Sequence, residues 1–110
     1  MRTLTLQLPA GPLVADYYVA TRPAAGPPVL LIHGWGGSGG YWRGTVERLR
    51  DRLDVIVPHL PGVGRSLRVR QPFDMPAQVA ALEALLLQLQ VPQVQLIGHS
   101  MGGGLAIMLA

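Results

Sequence analysis

The sequence predicts an α/β fold: a mostly parallel sheet with helices on both faces. Three observations carry this. The short runs at residues 29–32, 55–57 and 94–97 are apolar throughout or nearly so, as strands covered on both faces must be. Segments with helical periodicity separate them. Gly and Pro punctuate the joins, and strands alternating with amphipathic helices assemble as crossover units on a parallel sheet. At 110 residues there is room for one domain, so residues 1–110 are read as a single unit.

The elements follow in order. Leu4, Leu6 and Leu8 alternate with Thr3, Thr5 and Gln7, a half-buried strand, and residues 13–20 form a second apolar strand. Pro9, Gly11 and Pro12 lie between them and favour a hairpin turn. A Pro/Ala/Gly loop over residues 21–28 leads to the first buried strand, and a glycine loop over residues 34–40 follows it. Trp42, Val46, Leu49 and Leu53 then recur at helical spacing and make one apolar stripe. After the strand at residues 55–57, residues 58–72 read as a long loop. Asp74 followed by Pro76 marks a helix start, with Val79, Leu82, Leu86 and Leu89 as its stripe and Pro92 beyond its end. Residues 94–97 are the third buried strand, and Gly98–Gly104 turns into a final apolar helix.

Composition excludes several classes. Hydrophobic residues are 49% and charged residues 14%, incompatible with a polar disordered chain. The net charge is only +3, and Arg43, Arg48, Arg50 and Arg52 are interleaved with Glu47, Asp51 and Asp54, so no nucleic-acid partner is expected. All nine basic side chains are Arg; without Lys there is no phosphate-binding P-loop. Without Cys there is no disulfide, thiolate nucleophile or Cys-ligated metal. No metal or organic cofactor is expected. The N-terminus lacks a secretory pattern, and the ten apolar or Gly residues after Ser100 are too few to span a bilayer. A cytoplasmic chain without membrane association is expected.

In such folds chemistry gathers at the carboxyl ends of the strands. After the last strand stands Gly98-His99-Ser100-Met101-Gly102, the Gly-x-Ser-x-Gly spacing of a nucleophile elbow. Ser100 must occupy a sharp turn for its hydroxyl to clear the sheet. Gly98 and Gly102 then approach strand and helix too closely for side chains. The same turn aims the Met101 N–H, at a helix N-terminus, where an oxyanion would form. After the first buried strand stands His33-Gly34-Trp35. The Trp35 N–H is the second expected oxyanion donor, with its indole either walling an acyl pocket or buried as core. His33 is expected to be structural, bonding the loop backbone. His99 adjoins the nucleophile but should point elsewhere. Gly34-x-Gly36-x-x-Gly39 also matches a dinucleotide-binding pattern. That reading needs an acid at the end of the next strand; Pro58-His59 stand there and Asp54 is at the beginning, which leaves a dinucleotide-binding domain as a minor alternative.

Between these loops lies His59-Leu60-Pro61-Gly62-Val63-Gly64-Arg65-Ser66. Together with the His-Gly loop and the elbow, in that order, it resembles the α/β-hydrolase superfamily over essentially the whole chain. The wording is closest to small bacterial carboxylesterases that demethylate acyl-carrier-protein esters, and to cofactor-free peroxidase-like relatives. The resemblance implies a serine hydrolase acting on a small ester or other acyl substrate through an acyl-enzyme on Ser100. There are two departures. Position 59, usually Asp in the family, is His59; it is expected on the loop near Ser66 or the loop backbone, out of reach of Ser100, with His59→Asp neutral or stabilising. The family's triad acid and histidine follow the nucleophile, and residues 101–110 hold neither. The chain therefore reads as the N-terminal part of one such domain, strands one to five and the start of the helix after the nucleophile. On this resemblance the later strands and the lid are expected to be absent from residues 1–110, and the chain is expected to be inactive alone. The alternative is a non-catalytic hydrolase-like module, or a half-domain completed by a partner. The strand at residues 94–97 would keep an unpaired edge, and self-association through it is expected.

Overall fold

The structure, a computed structural model, describes residues 1–8, 11–34, 39–60 and 74–110. Strands β1 (Arg2–Leu8) and β2 (Gly11–Tyr18) form an antiparallel hairpin, in register from Arg2↔Tyr17 to Leu8↔Gly11. Strand β3 (Val29–Ile32) is buried at every position, as its unbroken apolar sequence requires. A 3₁₀ turn over Gly39–Trp42 leads into α1 (Arg43–Leu49). Next come β4 (Val55–His59), α2 (Met75–Gln88), β5 (Gln95–Gly98) and α3 (Met101–Leu109).

The sheet order is β1-β2-β4-β3-β5. Pairing is antiparallel for β1–β2 and β2–β4, and parallel where β4, β3 and β5 adjoin. The chain steps from β3 to β4 on one side, then back across β3 to β5 on the other. Crossovers of one hand that reverse direction deliver their helices to opposite faces. Accordingly Val46, with Trp42 beside it, packs on Val29, Leu31, Val55 and Val57. Leu82, Leu85 and Leu105 pack on the opposite face, on Leu30, Ile32 and Ile56. The reversal makes the carboxyl end of β3 a topological switch point, the usual place for a binding crevice.

Several elements depart from the sequence reading: β2 spans Gly11–Tyr18 rather than residues 13–20, and β5 is Gln95–Gly98, exposed or half-buried along its length rather than buried. The apolar stripe runs on to Leu53, but α1 stops at Leu49. The turn that follows is tied down by tertiary contacts: Thr21, Arg22 and Ala25 donate backbone N–H groups to the carbonyls of Arg50, Asp51 and Arg52. Leu53 still packs against the α1-side core from the turn. Strand β4 extends two residues past Val57 because β2 continues to pair with it, through Ala15↔Pro58 and Val14↔His59. The start of α2 follows its sequence signal. Asp74 caps it, accepting from the Ala77 N–H at 2.9 Å, with Pro76 in the first turn.

Candidate active site

Ser100 lies between β5 and α3 with φ 58° and ψ −122°, a conformation that costs a side-chain-bearing residue on the order of 1–3 kcal/mol. The surroundings hold it there. The His99 N–H extends the β5–β3 ladder to Ile32 O at 3.1 Å, and Gly102 and Gly103 N–H groups then bond back to His99 O and Ser100 O, each at 2.9 Å. Such a reversal needs two close approaches. A Cβ on Gly98 would overlap the backbone of Gly102 and Gly103, and one on Gly102 would overlap the carbonyl groups of Ile32 and His33. Ser100 is left exposed at the N-terminus of α3. The Met101 N–H belongs to the first turn, whose donors have no intrahelical acceptor.

The His33-Gly34 turn lies against this elbow. A Cβ on Gly34 would come within 3.0 Å of Ser100 Cβ and His99 O, and 3.5 Å of Ser100 Oγ. The loops after β3 and β5 therefore meet at the switch point. Trp35, the other expected oxyanion donor, lies outside the described residues, as does the stretch 61–73.

Each of the chain's three histidines is engaged away from the Ser100 hydroxyl. His33 is fully buried; its Nδ1–H donates to Gly34 O at 2.8 Å and its Nε2 accepts from the Leu60 N–H at 3.0 Å. Burial pushes its pKa below the ordinary 6.5, against an opposing pull from the Gly34 hydrogen bond, and proximity to His59 pushes it lower still. His99 stacks on Tyr41, ring centroids 5.1 Å apart and planes 28° from parallel. His59 corrects the sequence reading: it ends β4 rather than standing on a loop, and its Nε2 lies 3.3 Å from Asp16 Oδ2 on β2. Nothing local signals the contact, because the partners are 43 positions apart and meet only through the β2–β4 register. Asp54, the acid weighed for a nucleotide, sits before the amino end of β4, where its carboxylate accepts from Tyr17 Oη and the Ala20 N–H, each at 2.7 Å.

The fold has counterparts in known proteins. A family model described as the alpha/beta hydrolase fold matches residues 27–110. A magnesium-chelatase 30 kDa subunit from Rhodobacter capsulatus is 42% identical over 91% of this chain and 35% of its own length. A pimeloyl-[acyl-carrier protein] methyl ester esterase from Aeromonas hydrophila is 37% identical over 81% of this chain and 34% of its own length. The crystal structure of the N-acyl homoserine lactonase AidH with N-butanoyl homoserine superposes at TM-score 0.86, with 26% identity, over 99% of this chain and 40% of that one. The chain thus spans well under half of each of these relatives. With the sequence match over most of its length and the same strand and helix arrangement, the chain belongs to the α/β-hydrolase family.

Proposed function

We propose that Ser100 is the nucleophile of a serine hydrolase acting on a small ester or related acyl compound. Its hydroxyl attacks the carbonyl carbon, giving an acyl-enzyme, while the Met101 and Trp35 N–H groups hold the oxyanion. The observation that carries this is the strained Ser100 backbone, held by the Gly98 and Gly102 approaches at the mouth of a strand-to-helix turn. A fold gains nothing from that conformation unless the side chain must project clear of the sheet. The likeness to an ester-cleaving and a lactone-cleaving enzyme supports the same substrate class. Ser at this position, rather than Asp, argues for acyl over alkyl intermediates.

With His33, His59 and His99 committed elsewhere, the general base would come from outside residues 1–110. The same observation supports the second reading, a half-domain completed by a partner, and residues 1–110 expressed alone are expected to be inactive. The test uses the protein expressed from its complete open reading frame and short p-nitrophenyl esters. Ser100→Ala should lower kcat by about 10³-fold or more with the fold intact. Undiminished turnover in Ser100→Ala would remove Ser100 from the chemistry.

A further inference from the structure

A file of polar groups crosses the α1 face of the sheet, strand by strand. On β1, Thr3 Oγ1 donates to Asp16 Oδ1 at 2.8 Å, directly across the register Thr3↔Asp16. On β2, Asp16 Oδ2 faces His59 Nε2 of β4 at 3.3 Å. A carboxylate only accepts, so this nitrogen carries the proton and donates. The residue after His59 is Leu60, whose N–H holds His33 Nε2 beyond the end of β3 at 3.0 Å. His33 Nδ1–H in turn holds Gly34 O at 2.8 Å, and Gly34 lies against Ser100. The file thus follows the sheet order β1-β2-β4-β3 and stops where β5 delivers the nucleophile. Asp16, His59 and His33 are all buried, the last two at the carboxyl ends of their strands.

We propose that Asp16 and His59 are positioning residues for acyl transfer at Ser100, acting through the Leu60–His33–Gly34 hydrogen bonds. The inference rests on the reading of Ser100 as nucleophile. The imidazole–carboxylate contact ties the last residue of β4 to β2, so the backbone at residues 59–60 cannot shift without breaking it. A fixed Leu60 N–H requires Nε2 of His33 to be the acceptor, which leaves Nδ1 to carry the proton toward Gly34 O. One tautomer and one ring orientation follow, and with them the place of Gly34 beside Ser100. Purely structural pairing would stabilise the fold and leave the site indifferent. Positioning makes the rate depend on the pair even when the fold does not, because reacting groups lose about 10²-fold in rate for a displacement near 1 Å.

The test is the double variant Asp16→Leu/His59→Leu, which removes both members of the contact together. It is made in the protein expressed from its complete open reading frame. Two quantities are read: kcat and KM on a short ester, and the slowly exchanging His33 Nδ1–H proton by NMR. The expected result is a cooperatively folded protein with kcat about 10²-fold lower, KM little changed and the His33 proton exchanging faster. His59→Gln, which keeps an N–H donor for Asp16, should recover most of the rate and the proton's protection. A double variant with wild-type kcat and unchanged His33 exchange would overturn the proposal. If the apolar double does not fold, His59→Asp with Asp16→Asn keeps a hydrogen-bonded pair and must keep both readouts; their loss overturns the proposal. If the wild type shows no Ser100-dependent turnover, the proposed function fails, and the His33 proton alone decides whether the pair holds the turn.

Discussion

At the scale of single residues, two glycines and a buried imidazole surround Ser100 and its turn. Gly98 and Gly102 stand where the elbow needs small residues, and a Cβ at either would meet backbone. That requirement arises within five residues, so it is written locally. The Asp16–His59 contact depends on two strands meeting in one register, which no local pattern encodes. His33 gives a pH prediction. Its folded pKa lies below 6.5 through burial, so below that pH the unfolded chain takes up a proton that the folded chain refuses. Its contribution to stability is complete above 6.5 and is lost progressively as pH falls toward the lowered folded value. Urea midpoints at pH 7.5 and 5.5, compared between wild type and His33→Gln, should show a smaller loss in the variant; equal losses would exclude His33 as the source.

At the scale of elements, the hairpin, the three parallel strands and three helices were legible because apolar period and turn residues agree, although β5 is half-buried or exposed where a fully buried strand was expected. The ends were less so. The α1 stripe runs past the helix into a turn whose carbonyls accept from the segment at residues 21–25, a contact made across nearly thirty residues of chain. Strand β4 outruns its apolar stretch because β2 goes on pairing with it through Pro58 and His59. That extension reverses the expectation for His59→Asp. The new carboxylate would face Asp16 across a buried contact in which His59 now donates. The single variant should lose about 3 kcal/mol of stability, and adding Asp16→Asn should restore much of it. Chemical denaturation of the two variants and wild type measures both effects. A stability unchanged in His59→Asp would show that the register contact carries no weight.

At the scale of the molecule, the strand order brings together the loops after β3 and β5. β3 pairs with both β4 and β5, so the turn after β3 sits beside the elbow after β5. Among the described residues β5 has a partner strand on one side only. Gln95 and His99 donate toward β3, and the two-residue period turns the Leu96 and Gly98 backbone groups outward. Ile97, Ile107 and Met108 are exposed. We expect residues 1–110 expressed alone to associate through this edge, which light scattering would report as species larger than one chain; a stable monomer would contradict it. Among the described residues no helix is long and apolar enough to cross a membrane. The central claim concerns the reactivity of one hydroxyl. The protein from its complete open reading frame is treated with a small alkyl fluorophosphonate, digested, and its peptides weighed. The account predicts a single phosphonyl adduct on the peptide bearing Ser100, absent in Ser100→Ala. An adduct on another residue, or none on an enzyme that still hydrolyses esters, would contradict it.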